Sequence, residues 1–302
     1  MSIDIAVVGS CNLDLVVNVE NIPQVGQTVL GGDLQQIPGG KGANQAVAAS
    51  RLGKSVAMVG RVGDDENGTF LQKSLEENGV STEHLLRATN VPTGVALIAV
   101  QSDGNNSIVV SPGANSELTP EDVMAIDLIL EAKVVLLQAE IPLETVVAAA
   151  RSAKGTIIWN PAPVPEENIP LELLDLVDVL IPNQSELELL VGTETAGSIE
   201  RIVEKAKTLP CSSTIVTLGG QGAVVVANNK AVHIPAPEIS PVDTTAAGDS
   251  FCAAIATSLV EDKDLVEAAQ WAVQVGSATT LVAGAQPSLP TSEEVHQRLK
   301  GG

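Results

Sequence analysis

Short apolar segments alternate with helical segments along most of the chain, and this alternation constrains the fold more than any other feature. Residues 3–8, 134–138, 156–159 and 214–218 are largely apolar runs, which is typical of buried strands. Helical patterns separate the last three of these runs. Because parallel strands are joined by crossover helices, the chain is predicted to fold as one α/β unit over residues 1–302, with a mostly parallel central sheet and helices on both faces.

A hairpin signal interrupts this alternation. Residues 94–100 and 107–111 flank the sequence Asp103-Gly104-Asn105-Asn106, which is typical of a tight turn between antiparallel strands. Extended pieces also occur between Asn12 and Ile37. We therefore expect a small separate β-sheet, a lid formed by about residues 12–37 and 93–111.

The composition restricts the partners of the protein. The formal net charge is −21, and such a field repels nucleic-acid backbones and anionic membrane surfaces. The chain has two Trp, two Phe and no Tyr, so it has little material for stacking on bases. We expect small-molecule ligands, and neither nucleic acid nor membrane as a partner.

The cysteines and the N-terminal residues suggest a compartment. Cys11, Cys211 and Cys252 are widely spaced and form no CxxC pair, which disfavours a disulfide framework and fits a reducing environment. The first residues lack a basic leader pattern, and no apolar run reaches the ~18 residues that a membrane span needs. We expect a soluble, cytoplasmic protein.

A turn of small residues precedes Asp249 and a long apolar helix. Residues 244–248 are Thr-Thr-Ala-Ala-Gly, and a small-residue turn at a helix N-terminus exposes N–H groups that suit a transferring phosphoryl group. Asp249 beside it could accept a proton from an attacking hydroxyl. The pattern alone favours the other interpretation slightly, an ordinary acid in the first turn of a helix, because Asp is common there.

Three further polar groups lie in or after predicted extended segments in the N-terminal half of the chain. Residues 39–44 read Gly-Gly-Lys-Gly-Ala-Asn and either grip a hydroxylated ligand or form a turn that caps the next helix. Asn12 and Asp14 point to the same side of an extended segment and either hold adjacent hydroxyls or form an ordinary polar strand face. Glu140 follows residues 134–138 and is either a ligand-binding acid or a solvent-facing one.

Two groups in the C-terminal half are similarly ambiguous. Asn183 and Glu186 either organise water around Mg²⁺, which prefers oxygen ligands, or form a capping box. Residues 217–222 read Thr-Leu-Gly-Gly-Gln-Gly and suit nucleotide phosphates, although a plain tight turn explains them equally well.

The order of these motifs along the whole chain resembles the phosphofructokinase-B, or ribokinase-like, family of carbohydrate kinases. Residues 39–63 and 243–256 resemble the two signatures of that family. Residues 113–115, 160–163 and 284–288 also match the pattern of its members.

The resemblance implies ATP-dependent phosphorylation of D-ribose at the 5-hydroxyl, with Mg²⁺ and a monovalent cation, usually K⁺. Asp249 would be the base and Ala246, Ala247 and Gly248 the anion hole. The sugar-binding residues it implies are Asn12, Asp14, Gly40, Lys41, Asn44, Glu140 and Asp249. The ATP and Mg²⁺ residues it implies are Asn183, Glu186, Thr217, Leu218, Gly219, Gly220, Gln221, Gly222, Gly248 and Val273. The K⁺ ligands it implies are Asp243, Thr245, Thr279, Val282, Gly284 and Ser288.

The resemblance also suggests a homodimer formed through the lid sheets. The chain departs from the usual family pattern at Val273, where relatives often carry Asn or His near the adenine, and at Ser250, which replaces Thr. The anion hole reads Ala-Ala-Gly rather than the commoner Gly-Ala-Gly. Two alternatives remain: a family kinase for a nucleoside, fructose or a keto-deoxy sugar, and a non-catalytic subunit that senses sugar or nucleotide.

Overall fold

The computed structural model describes residues 3–101, 105–195 and 197–300. Asp103 and Gly104 of the predicted hairpin turn lie outside this part of the chain. Within the described residues, no helix is long and apolar enough to cross a membrane.

Thirteen strands and eleven α-helices are present in the described ranges. The strands are β1 Ile5–Val8, β2 Asn12–Val19, β3 Gln35–Gly39, β4 Val56–Gly63, β5 Val80–Ala88, β6 Gly94–Gln101, β7 Asn106–Ser111, β8 Val134–Leu137, β9 Thr156–Trp159, β10 Val179–Leu180, β11 Ser213–Thr217, β12 Ala223–Ala227 and β13 Lys230–Ile234. The helices are α1 Lys41–Arg51, α2 Glu66–Glu77, α3 Pro120–Met124, α4 Asp127–Glu131, α5 Leu143–Ser152, α6 Leu171–Leu176, α7 Gln184–Val191, α8 Ile199–Ala206, α9 Ala247–Val260, α10 Leu265–Thr279 and α11 Ser292–Lys300.

Nine of these strands form the central sheet, in the order β13-β12-β11-β10-β9-β8-β1-β4-β5. The seven from β11 to β5 pair in parallel, and β12 and β13 add an antiparallel edge. This arrangement confirms the predicted mostly parallel sheet. β5 was missed by the sequence analysis because its polar residues, such as Glu83 and Arg87, suit an edge strand and break the apolar pattern.

Both faces of the sheet are covered, which explains the continuous apolar runs in its central strands. Ile5 and Val7 pack in one core with α1, α9 and α10, while Ala6 and Val8 pack in a second core with α3 and α5. Side chains of a strand alternate between the two faces, so a strand between two helical layers must be apolar at every position.

The second sheet has four strands in the order β3-β2-β6-β7. β6 and β7 pair antiparallel, as the hairpin signal predicted, and β2 lies parallel to β6. The extended piece predicted before Ile37 is shorter than expected: β3 covers only Gln35–Gly39, and Gly31 makes an isolated bridge with Val19. Asp14 pairs with Ile37 and Ala96, so it lies near the middle of the small sheet.

Candidate active site

α9 begins at a turn of small residues that faces a cavity. Ala246 has φ 59°, a left-handed conformation that costs an alanine about 1–3 kcal/mol, and the helix begins at Ala247. N–H groups in the first turn of a helix have no carbonyl partner within it. No atom lies within 4 Å of the position that a Cβ on Gly248 would occupy. Ala246, Gly248 and Asp249 line a cavity of about 230 Å³, so a ligand can reach this turn.

Asp249 is buried in the wall of this cavity, and both of its carboxylate oxygens accept amide hydrogen bonds. Asn44 donates to Oδ2 over 3.0 Å, and Gln45 donates to Oδ1 over 3.1 Å. Burial raises the pKa of Asp249 above its ordinary value, while the Lys41 ammonium and the two amides oppose that rise. A carboxylate whose pKa is raised towards neutrality is suited to act as a general base.

Lys41, the first residue of α1, lies among the carboxylates of the site. Burial alone would lower the pKa of Lys41, but Asp249, Glu140 and Glu186 together hold it above the ordinary value. Lys41 is therefore an ammonium that offsets the negative charge of three neighbouring acids.

Glu140 lies in the loop after β8 and accepts hydrogen bonds that hold the start of α1. Its Oε2 accepts hydrogen bonds from the Ser10 hydroxyl over 2.5 Å and from the Lys41 backbone N–H over 3.0 Å. A carboxylate at the N-terminus of a helix is favoured by the helix dipole. The structure thus places Glu140 inside the cluster rather than in a solvent-facing loop.

Asn12 and Asp14 lie on the same face of β2. Asn12 is buried, and its Oδ1 accepts a hydrogen bond from Asn115 over 2.7 Å. Asp14 lines a cavity of about 830 Å³ between the small sheet and the segment around Asp243. Burial, followed by the charges of Glu140 and Asp249, raises the pKa of Asp14 to about 7.

Glycine at residues 39 and 40 lets the loop before α1 lie against these two side chains. Gly40 has φ 89°, and a Cβ there would come within 2.7 Å of the Asn12 backbone nitrogen. A Cβ on Gly39 would overlap the Asp14 carboxylate. The Gly-Gly pair therefore sets the close approach between the loop and β2.

A second cavity, of about 460 Å³, adjoins the first. The predicted nucleotide residues Thr217, Gly219, Gly220, Gly222, Gly248 and Val273 line it. Thr217, Thr244 and Gly248 line both cavities, so the two spaces meet at the start of α9. Leu218 and Gln221 are not among the lining residues: Leu218 packs on the core beside β11, and the Gln221 carbonyl lies 2.8 Å from His233 Nε2.

Asn183 and Glu186 form a capping box at the start of α7. The Asn183 side chain accepts a hydrogen bond from the Glu186 N–H, and Glu186 Oε2 accepts one from the Asn183 N–H, both over 2.8 Å. Both residues also line the cavity that holds Asp249. Burial raises the pKa of Glu186 above its ordinary value. The capping role is therefore established, and it leaves side-chain oxygens beside Asp249.

The six residues implied as monovalent-cation ligands lie on two segments beside the α9 turn. Asp243 joins the segments, because its Oδ1 accepts from the Thr245 N–H over 2.9 Å and its Oδ2 accepts from the Gly284 N–H over 2.8 Å. Thr279 and Val282 are linked by a backbone hydrogen bond, and Ser288 is buried in a short 3₁₀ helix. In the described ranges no three His, Cys, Asp or Glu side chains are grouped to hold a metal ion.

Five residues of the site were missed by the sequence analysis. Gln45 touches Asp249, and Gln138 and Asn160 touch Gln45. Ser10 and Asn115 hold Glu140 and Asn12. The rule that ligands lie at the carboxyl ends of parallel strands could have found Gln138 and Asn160, because each directly follows a strand.

The chain resembles known carbohydrate kinases over its whole length. The sequence profile of the pfkB family carbohydrate kinases matches residues 2–292. A ribokinase from Bacillus subtilis (strain 168) is 42% identical over 300 residues, which cover 98% of this chain and 99% of the relative. The crystal structure of ribokinase from Thermotoga maritima is 37% identical, with a TM-score of 0.89, and 99% of each chain is covered.

The structure of Arabidopsis thaliana ribokinase complexed with ribose and ATP is 34% identical and also has a TM-score of 0.89, with 99% of each chain covered. The match in sequence extends over the elements that carry Asp14, Lys41, Glu186 and Asp249. This chain therefore belongs to the pfkB family of carbohydrate kinases.

Proposed function

We propose that the protein transfers the γ-phosphate of ATP to the 5-hydroxyl of D-ribose, giving D-ribose 5-phosphate and ADP. The observation that carries this proposal is the place of Asp249. It is a buried carboxylate at the N-terminus of α9, where the two cavities meet. The full-length similarity to ribokinases supports ribose as the acceptor and ATP as the donor.

The acceptor would lie between the small sheet and the start of α1. Amide, carboxylate and ammonium groups for the sugar hydroxyls come from Asn12, Asp14, Lys41 and Glu140. Gly40 and Asn44 would form the rest of the wall around the sugar. Asp249 takes the proton of the 5-hydroxyl. The 5-oxygen of the sugar attacks the γ-phosphorus in line, and ADP leaves. The backbone N–H groups at residues 246–248 would form the anion hole for the charge on the transferring phosphoryl group, although the Ala247 N–H also donates to the Thr244 carbonyl over 3.3 Å.

ATP would occupy the cavity lined by the glycines at 219, 220 and 222. These residues let phosphates approach the backbone, and no atom lies within 4 Å of a Cβ position on Gly219 or Gly220. Phe251 and Val273 offer an apolar wall for the adenine. Leu218 and Gln221 would contribute to this loop through its backbone conformation.

The residues present fit the two cations that the family implies. Asn183 and Glu186 carry the oxygen atoms that Mg²⁺ prefers, and Asp243, Thr245, Gly284 and their neighbours carry carboxylate and carbonyl oxygens that suit K⁺. When bound, Mg²⁺ offsets phosphate charge, and K⁺ adds positive charge beside the anion hole. We assign the remaining ligands at Thr279, Val282 and Ser288 to the same K⁺ site.

The small sheet would act as a lid and as a dimer contact. Asp14, Val16 and Ile98 lie on its face toward the large cavity, so closure of the sheet excludes water from the sugar. On the opposite face Leu97 and Val109 are paired across β6 and β7 and are 52% and 62% exposed. A second copy of the chain covering this apolar face gives a homodimer.

A coupled assay of ADP formation across a panel of sugars tests the activity. We expect turnover with ribose above that with fructose, nucleosides and keto-deoxy sugars, and a clear decrease when K⁺ is replaced by a large organic cation. Faster turnover of another sugar would reassign the substrate. Calorimetric binding of ribose with no ADP production would overturn the kinase activity and favour a sensing subunit.

A further inference from the structure

A chain of buried amide side chains lies behind the proposed base. Gln45, Gln138 and Asn160 are at most 9% exposed, and they come from α1, from the end of β8 and from the end of β9. Gln45 Nε2 donates to Asp249 Oδ1 over 3.1 Å and to Asn160 Oδ1 over 3.3 Å, while Gln45 Oε1 accepts from Gln138 Nε2 over 2.6 Å. None of the three belongs to the set that the family resemblance assigned to catalysis or binding.

The donors and acceptors available allow only one set of orientations for these amide groups. An ionised carboxylate only accepts, so Gln45 must turn its NH₂ toward Asp249. Gln45 Oε1 then needs a donor, so Gln138 must turn its own NH₂ toward Gln45. Reversal of either amide would bring two oxygen acceptors together in a site without bulk water, where an unpaired buried polar group is costly.

Asn160 fixes the same orientation from the other side. Its Nδ2 donates to the Ile181 carbonyl over 2.8 Å, which leaves its Oδ1 to accept from Gln45. A backbone carbonyl accepts only, so Asn160 cannot reverse without losing that bond. Both hydrogens of Gln45 Nε2 are thus assigned, one of them to Asp249.

The sequence makes room for Gln138 at a specific position. A Cβ on residue 9 would lie 1.9 Å from Gln138 Oε1, so Gly9 at the end of β1 is what allows the amide to lie there. Gln138 Oε1 is buried with no hydrogen-bond partner in the described residues. Gln138 thus leaves an acceptor unpaired while donating to Gln45, which a purely packing role would not require.

We propose that Gln45 and Gln138 are positioning residues for the base, Gln138 orienting Gln45 and Gln45 orienting the Asp249 carboxylate and favouring its ionised form. This inference rests on the proposed function, in which Asp249 deprotonates the sugar. The effect on Asp249 follows from chemistry, because a hydrogen bond donated to a carboxylate favours its charged form. Asn44 holds the other oxygen of the same carboxylate.

The ionisable groups facing Asp249 are the same in the wild type, in Gln45→Met and in Ser50→Ala, whereas Gln138→Glu adds one carboxyl group. Lys41 faces it from α1, Glu140 from the end of β8, Asp14 from β2 and Glu186 from α7, and Cys252 lies on α9 itself. A shift between variants in the titration of Asp249 therefore reports the amide chain.

Gln45→Met keeps the length of the side chain and removes its donor. We expect the acidic limb of kcat/KM for ribose to move up by about one pH unit, equivalent to a tenfold change in the ionisation equilibrium, with the KM for ATP unchanged. On the acidic limb kcat should decrease about tenfold, and it should recover as the pH rises. An acidic limb at the wild-type position would overturn the proposal.

Gln138→Glu tests whether Gln138 orients Gln45, and it changes no residue that hydrogen-bonds to Asp249. When the introduced carboxyl ionises it can only accept, so it turns the NH₂ of Gln45 toward itself and brings Gln45 Oε1 against Asp249. We expect kcat to decrease on the alkaline side of the profile, where the wild type stays active. An unchanged alkaline limb would show that Gln138 does not orient Gln45.

Ser50→Ala is the matched control on the same helix. The Ser50 hydroxyl donates one hydrogen bond, to the Asn78 carbonyl over 2.7 Å, on a face of α1 away from Asp249. We expect a loss of thermal stability similar to that of Gln45→Met and a wild-type pH profile. A shifted profile in Ser50→Ala would mean that general destabilisation of α1 explains the result.

Carboxyl-¹³C NMR of the ligand-free protein separates this inference from the proposed activity. If the wild type phosphorylates no sugar, the proposed function fails, but the titration of Asp249 can still be compared with that in Gln45→Met. We expect a higher pKa for Asp249 in the variant. Equal titration midpoints would refute the positioning role independently of turnover.

Discussion

At the scale of single residues, the site concentrates acids around one ammonium. Lys41 interacts electrostatically with Asp249, Glu140 and Glu186, and Asp14 interacts with Glu140 and Asp249. Like charges raise the pKa of a carboxylate and an opposite charge lowers it. Burial raises the pKa of Asp14, Glu186 and Asp249, and the Lys41 ammonium opposes that rise at Glu186 and Asp249.

Replacement of the base gives the most direct prediction. We expect Asp249→Asn to reduce kcat by about 10²–10⁴-fold, the usual contribution of a positioned general base, while ribose binding is retained. Steady-state kinetics and calorimetry measure the two effects. Turnover within a few-fold of wild type would contradict the role of Asp249.

Asp14 leads to a prediction about stability and pH. Its pKa is about 7 in the folded protein against an ordinary value of 3.8. Between these values the folded state binds more protons than the unfolded state, so Asp14 lowers the free energy of unfolding as the pH rises from about 4 to 7. This decrease in the free energy of unfolding is complete above pH 7 and absent below about pH 4.

Asp14→Asn removes this cost. We expect the variant to exceed the wild type in free energy of unfolding at pH 8, with the difference shrinking toward pH 4, and to bind ribose more weakly. Urea unfolding at several pH values measures the first effect and calorimetry the second. A constant stability difference across this range would rule out the titration of Asp14 as its cause.

At the scale of elements, the loop before α1 and the turn before α9 are built to approach other backbone segments. Gly40 at φ 89° lies against Asn12, and Ala246 at φ 59° begins α9 without a side-chain cap. Both elements bring their N-termini to the same cavity, where helix dipoles favour anions. Ala246 carries the strain of a left-handed conformation at the place where a ligand would bind, whereas Gly40 adopts its positive φ without strain.

Gly40→Ala and Gly53→Ala form a matched pair. Both glycines have φ near +90°, at 89° and 93°, but only Gly40 has a neighbour that a Cβ would strike, whereas nothing lies within 4 Å of a Cβ on Gly53. We expect each variant to lose about 1–3 kcal/mol of stability through backbone strain, and Gly40→Ala to lose more and to bind ribose poorly. Thermal unfolding and kinetics compare them. Equal effects would mean that the close contact with Asn12 is unimportant.

At the scale of the whole molecule, one large sheet supports the chemistry and one small sheet covers it. The large sheet is buried on both faces, whereas the small sheet leaves Leu97 and Val109 open to solvent. An apolar face of this kind marks an interaction surface more often than a solvated one. The same sheet lines the large cavity through Asp14, Val16 and Ile98, so in the proposed dimer assembly would be linked to closure of the proposed lid.

Substitution on the open face of the small sheet tests the dimer. We expect Leu97→Asp with Val109→Asp to convert a dimer into a monomer in sedimentation experiments and to raise the KM for ribose. Met124→Asp is the control, because Met124 is 58% exposed on α3, outside the small sheet. A wild-type protein that sediments as a monomer would contradict the proposed dimer.

The fold was largely predictable from the sequence because its signals are local. Alternation between apolar strands and helices requires only neighbouring residues, and the long apolar helix expected at Asp249 is present as α9, Ala247–Val260. The sequence analysis did not predict β5, because an edge strand does not need apolar residues on both of its faces. The capping box of Asn183 and Glu186 is a local pattern that the sequence predicted, but their place beside Asp249 depends on what faces α7 and could not be predicted locally.

By itself the sequence determined the α/β architecture, the small second sheet and the family, since these rest on periodicity and on the order of motifs. Only the tertiary structure decided which polar groups meet. Gln45 is 204 residues from Asp249, 115 from Asn160 and 93 from Gln138 along the chain. They touch because the order of strands in the sheet brings the carboxyl ends of β8 and β9 beside α1 and α9, and no local pattern encodes that order.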